Sequence, residues 1–202
     1  MSDVDGPRGE LIFCERTTRA AAETELLGQA LGRALLEPED RAGTAAARGA
    51  GTWWLLIGEM GAGKTAFVHG VARGLGARGR IRSPGFTLVT THASRLPIVH
   101  VDLYRIEDPA LVEGLGLAEV VAPGSVVFIE WGERARGAVD PDHFEIAIED
   151  QGGDERLLRM AACGARAAAL GRALTPALAG PLVPAGGAAL DAAAAAEARG
   201  SC

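Results

Sequence analysis

The sequence predicts an α/β protein: a three-layer fold with a mixed central sheet, one domain plus an Ala-rich C-terminal tail. Three observations predict it. An apolar run of strand length, Thr52-Trp53-Trp54-Leu55-Leu56-Ile57, leads into Gly58-Glu59-Met60-Gly61-Ala62-Gly63-Lys64-Thr65, and a helix-like segment follows from Ala66 to Leu75. That G-x-x-x-x-G-K-T stretch, between a strand and a helix, is the P-loop pattern of nucleoside triphosphatases. A second apolar run, Val126-Val127-Phe128-Ile129, reads as a strand buried on both faces, as in an α/β core. Finally, two pairs of strand-like segments are joined by short links, which requires antiparallel neighbours and makes the sheet mixed.

Taken in order, residues 1–9 are a loose leader and Leu11 to Cys14 a short strand. Thr18 to Leu36 reads as a helix, because Leu27, Leu31, Ala34 and Leu35 share one stripe. Pro38 ends it, and residues 37–51 lack periodicity and read as a surface loop. After the P-loop helix, Gly74 and Gly76 stand where C-cap glycines do. Arg78, Arg80 and Arg82 then form a basic cluster that either faces phosphates or a partner, or is simply solvated. Ser83-Pro84-Gly85-Phe86-Thr87 is a turn, and Phe86 to His92 alternates like a strand. Pro97 to Val101 is its antiparallel partner. Asp108-Pro109 has the form of a helix N-cap and first helical residue, so a helix is expected over 110–117, with 119–122 extending it. His143 to Ile148 and Arg156 to Ala161 read as a hairpin closed by Gln151-Gly152-Gly153-Asp154. The folded domain is expected to span 10–162. Residues 163–202, rich in Ala, Gly and Pro, are expected to be a flexible tail, with helical stretches at Ala165–Leu174 and Ala192–Arg199 interrupted by Pro176, Pro181 and Pro184.

Whole-chain totals narrow the function classes. The 202 residues carry a net charge of −6 and a pI near 5.3, which argues against a DNA-binding footprint. The three cysteines, Cys14, Cys163 and Cys202, are far apart and show no metal-ligand spacing, as expected of reduced thiols in a cytoplasmic protein. His69, His92, His100 and His143 show none either. No apolar h-region opens the chain and no run approaches the ~20 apolar residues of a membrane span.

The P-loop sets the chemistry. Its glycines let several N–H groups converge on phosphate oxygens, and the positive end of the new helix adds to them. Gly58 through Thr65, with Ala66, are therefore the candidate nucleotide-binding residues. Lys64 reaches the outer phosphates, and the Thr65 hydroxyl can ligate Mg²⁺. A P-loop site also needs an acid at a neighbouring strand end. Asp102 ends one apolar run and Glu130 another, so one is expected to serve the metal and the other to orient or deprotonate an attacking water. Trp131, beside Glu130, is the candidate for a nucleotide contact, whereas Trp53 and Trp54 belong to packing. Arg105 and Arg134 are candidates for neutralising transition-state charge or for structural ion pairs.

Four blocks occur in order: the P-loop, Ser83-Pro84-Gly85-Phe86-Thr87-Leu88, His100-Val101-Asp102-Leu103-Tyr104-Arg105, and Ile129-Glu130-Trp131. Over residues 10–160 the chain resembles TsaE (YjeE), the bacterial P-loop ATPase family of tRNA threonylcarbamoyladenosine biosynthesis. The resemblance implies an ATP- and Mg²⁺-binding ATPase that works with TsaB and TsaD and meets tRNA only through that complex. It implies that Lys64 and Thr65 serve phosphates and metal, that Asp102 is the metal-side acid, that the Ser83 block is a switch-like loop, and that Glu130 and Trp131 serve activity and nucleotide contact. One position departs from the family pattern: Gly85 replaces a Thr, removing a hydroxyl and predicting slower hydrolysis or a looser switch. The competing readings are a small-molecule P-loop kinase, against which no Arg-rich lid segment is found, and a non-catalytic module whose assembly depends on nucleotide.

Overall fold

The computed structural model describes residues 4–5, 10–36, 51–79 and 81–183. Among them eight strands form one sheet in the order β1-β2-β8-β7-β3-β6-β5-β4. These are β1 (Val4–Asp5), β2 (Leu11–Thr18), β3 (Thr52–Ile57), β4 (Val89–His92), β5 (Ile98–Asp102), β6 (Val126–Glu130), β7 (His143–Gly152) and β8 (Glu155–Cys163). The P-loop strand β3 lies between β6 and β7 and is parallel to both, and β5 continues the parallel set. Antiparallel β4, β8 and β2 flank it, so the sheet is mixed as expected. The helices are α1 (Ala21–Ala34), α2 (Lys64–Gly74), α3 (Pro109–Glu113), α4 (Leu117–Val120) and α5 (Ala165–Ala179).

Alternation along β3 separates two cores. Trp54 and Leu56 face the layer of α1, α2 and α5, while Trp53 and Leu55 face the layer of α3 and α4. In the first core Trp54 stacks on Phe144 with ring centroids 4.0 Å apart, and Phe13 meets Phe144 edge-on at 5.7 Å. Such aromatic pairs add about 0.5–1.5 kcal/mol beyond their buried area.

Helices α1 and α2 touch backbone to backbone. A Cβ on Gly28 or Gly32 would overlap the carbonyl oxygens of Phe67 and Val71; one on Gly70 or Gly74 would overlap those of Glu25 and Gln29. The two glycines on each helix are four residues apart, so they fall on one face. This reciprocal contact fixes where the P-loop helix sits.

Several boundaries differ from expectation. Strand β2 runs on to Thr18 instead of stopping at Cys14, because its polar residues pair along β8 (Glu15↔Arg159, Thr17↔Leu157). The strand expected from Phe86 starts at Val89, after a 3-10 turn over Gly85–Thr87. The helix expected over 110–117 is two short ones, α3 and α4, separated around Gly114 and Gly116. Its predicted cap is present: the Asp108 carboxylate accepts from Ala110 N at 2.9 Å. The largest correction concerns the boundary at 162. Helix α5 runs to Ala179 with Pro176 inside it, and buries Ala167, Leu170, Leu174 and Leu178 in the first core. The stripe at i, i+4 and i+8 outweighs the broken helical bond at Pro176. Residues 37–50, Arg80 and 184–202, with the helix expected at 192–199, lie outside the described residues. Among the described residues no helix is long and apolar enough to cross a membrane.

Candidate nucleotide site

The P-loop leaves the C-terminal end of β3 and turns into α2. At Gly58 a Cβ would overlap the Ile148 carbonyl of β7, so the loop can enter this close to the sheet only with glycine. Arg156 of β8 supports the far side of the loop by donating to Ala62 O at 3.1 Å. Lys64 opens α2 and is 4% exposed. Its Nζ donates back to Gly58 O at 2.5 Å and Glu59 O at 2.9 Å, and lies 4.1 Å from the centroid of Trp131. Burial lowers the pKa of this ammonium, opposed by the charges of Glu130, Glu133, Asp102 and Glu59.

Asp102 and Glu130 are cross-strand partners at the ends of β5 and β6. By alternation both point to the α2 side, since Phe128 two residues earlier does so. Thr65 Oγ1 donates to Glu130 Oε1 at 2.7 Å, and His100 Nε2 reaches the same oxygen at 2.9 Å. Asp102 accepts the Tyr104 backbone N–H at 3.0 Å through Oδ1, and the Ser83 hydroxyl through Oδ2. Thr65, Asp102 and Glu130 thus form a cluster of hard oxygen donors beside a buried lysine, a set suited to Mg²⁺ and poorly suited to softer metals.

Trp131 takes a left-handed conformation, φ 61°, uncommon for a non-glycine residue. The next residue explains how the turn fits: Gly132 lies flat against β3, where an added Cβ would stand 2.5 Å from Leu55 Cβ. The indole is thereby carried over Lys64, tilted against Tyr104 at 5.3 Å. The Arg134 guanidinium carbon lies 5.1 Å from the centroid of Trp131. Nη1 of Arg134 donates to the carbonyls of Leu103, Tyr104 and Ile106 at 2.8, 2.9 and 2.8 Å, holding the turn after β5. Arg105, Arg78 and Arg82 are exposed.

Lys64, Thr65, Asp102, Glu130 and Trp131 therefore meet at one end of the sheet. Four contributors were not singled out as site residues by sequence: Ser83 on Asp102, His100 behind Glu130, Arg156 under the loop and Gly132 under Trp131. Ser83 and His100 stand in the family-like blocks, which is a usable signal. Arg156 and Gly132 act through contacts with other strands, which no local pattern carries.

A profile of the family described as Threonylcarbamoyl adenosine biosynthesis protein TsaE matches residues 18–158. The chain belongs to the TsaE family. The TsaE protein of Bacillus subtilis is 38% identical over 112 residues, covering 55% of this chain and 70% of the relative. That of Treponema pallidum is 38% identical over 117 residues, covering 58% and 77%. Both are described as tRNA threonylcarbamoyladenosine biosynthesis proteins. The crystal structure of YdiB from Bacillus subtilis superposes with a TM-score of 0.63 at 28% identity, covering 81% of this chain and 94% of YdiB. The TsaE match takes in all four sequence blocks, the P-loop among them.

Proposed function

We propose that this TsaE-family chain is a cytoplasmic, partner-dependent ATPase of tRNA threonylcarbamoyladenosine formation, working with TsaB and TsaD and meeting tRNA through that complex. The observation that carries the reading is the Thr65–Glu130 hydrogen bond, with Asp102 in register beside Glu130. The P-loop amides and Lys64 bind the phosphates of ATP. Lys64 exchanges its bonds to Gly58 O and Glu59 O for phosphate oxygens, losing little by the move. Thr65 and Asp102 would hold Mg²⁺, which when bound neutralises charge building on the phosphates, and Glu130 is left for the water. Glu130 orients a water and draws off its proton as the water oxygen bonds to the γ-phosphorus and the bond to the β,γ-bridging oxygen breaks, giving ADP and phosphate. His100 keeps Glu130 in place, and Trp131 covers the phosphate end of the site.

Reconstitution tests this. With TsaB, TsaD, a threonylcarbamoyl donor, ATP and tRNA, multiple-turnover modification should require this chain and should stop with Lys64→Ala. Modification that continues with Lys64→Ala overturns the reading.

A further inference from the structure

Three side chains that the nucleotide site does not use meet at the other end of the sheet. His143 opens β7, Glu145 follows two residues later, and Cys163 closes β8 as the direct cross-strand partner of His143. Since β7 is parallel to β3, its first residue lies at the end opposite the P-loop. Alternation turns all three away from the first core, which takes Phe144, Ile146 and Ala162 instead. One nitrogen, one carboxylate oxygen and the thiol sulfur lie within 4.8 Å of one another, the one such trio among the described residues.

The histidine is preset as a ligand. Its Nδ1 lies 2.9 Å from the carbonyl oxygen of Asp140. A carbonyl only accepts, so Nδ1 carries a hydrogen and Nε2 is the ring atom left to take a proton or a metal ion. That Nε2 is buried without a hydrogen-bond partner, in a residue 9% exposed, and faces Glu145 Oε1 at 3.7 Å. A buried ring nitrogen held against a carboxylate and a thiol needs a positive charge beside it, either its own proton or a metal ion that takes the proton's place. An N–H to backbone carbonyl bond behind the ring is also how metal-bound histidines are oriented.

We propose that His143, Glu145 and Cys163 form a binding site for a thiophilic divalent metal ion, Zn²⁺ being the ion that fits, with water completing the shell. The sulfur and nitrogen donors select against Mg²⁺ and Ca²⁺. Arg136 sharpens that choice. Its guanidinium holds both Glu145 oxygens, at 2.6 and 2.8 Å, and so orients the carboxylate while opposing any cation. Only an ion with a strong thiolate bond offsets that opposition. Bonds of about 2.0–2.3 Å place tetrahedral ligands about 3.5 Å apart, so the trio closes by about 1 Å on binding. Cys163 is half-buried, which leaves an entry path. The ion would tie the end of β8 to the start of β7 just where α5 begins, beside Asp142, whose carboxylate accepts from Arg166 N and Ala167 N at 2.7 and 3.1 Å.

The test is Co²⁺ titration of the reduced, full-length chain, followed by displacement with Zn²⁺. We expect a near-ultraviolet thiolate-to-cobalt band with intense visible bands of tetrahedral Co²⁺, both bleached by Zn²⁺. Cys163→Ser should abolish the thiolate band and His143→Gln should weaken Zn²⁺ binding at least tenfold, while Cys14→Ser should leave both unchanged. Lys64→Ala should also leave them unchanged, because no cysteine stands among the residues named for the nucleotide site and its failure would not touch this band. Absence of a thiolate band in the unmodified chain, or its survival in Cys163→Ser, overturns the proposal.

Discussion

Glu130 and Asp102 sit side by side, yet their surroundings predict different losses. Glu130→Gln keeps an acceptor for the Thr65 hydroxyl and removes the basic carboxylate. Nucleotide binding should persist while turnover falls about 10²–10⁴-fold, the usual worth of a positioned base. Asp102→Asn should instead weaken Mg²⁺-dependent binding; titrations with and without Mg²⁺ separate the two. Gly85 is a different case. Its φ is +53° with nothing near the position of a Cβ. Space is available for the Thr of the family pattern, but that conformation costs a non-glycine residue about 1–2 kcal/mol. Gly85→Thr should therefore rewind the turn and change partner-dependent turnover, and an unaltered rate would sink the switch role assigned to this loop. Cys14 shows what burial does to a thiol with no such task. Burial chiefly, with Glu15 adding and Arg16 opposing, lifts its pKa to about 11. In the unfolded chain the same thiol ionises near 9.0. Its contribution to stability is thus complete below about pH 9 and is lost as pH climbs through 11. At pH 8 the Cys14 peptide should stay unalkylated in the folded protein, as mass spectrometry would show.

At the scale of elements, α5 and the α1–α2 pair make opposite demands. Leu174 of α5 is 2% exposed. Leu174→Ala should cost about 2–5 kcal/mol in denaturant unfolding, whereas a loosely docked tail would lose far less. Gly70→Ala adds one methyl where backbone already sits, and overpacking of this kind costs about 1–3 kcal/mol or more. The parallel strands β3, β5 and β6, the β7–β8 hairpin and the P-loop helix were all legible in the sequence, because each carries its own period or turn signal. Helix α5 was underestimated because its small alanines and Pro176 hide a stripe of leucines. The glycine contact was missed for a related reason: Gly28, Gly32, Gly70 and Gly74 look like weak helix residues until the partner helix is beside them. Of the candidate nucleotide site, Lys64, Thr65, Asp102, Glu130 and Trp131 could be named from spacing and strand ends. The trio at His143, Glu145 and Cys163 could not, since strand pairing across β7 and β8, and not separation along the chain, brings it together.

For the whole molecule, a ligand that binds only the folded state stabilises it by mass action, about 2.7 kcal/mol at a hundred times its dissociation constant. Mg²⁺ with ATP should raise the melting temperature of the full chain, and Lys64→Ala should remove that rise. Trp131 allows occupancy to be followed without melting anything. Trp53 and Trp54 are sealed in the two cores, 5% and 0% exposed, so their emission is a fixed background. The remaining indole of the chain's three rests 4.1 Å from the ammonium of Lys64. In the proposed binding mode that ammonium turns to a phosphate, so titration with ATP and Mg²⁺ should change the Trp131 fluorescence. Stopped flow on the unlabelled chain should therefore let the protein report its own loading, and a silent trace would count against the Lys64–phosphate contact.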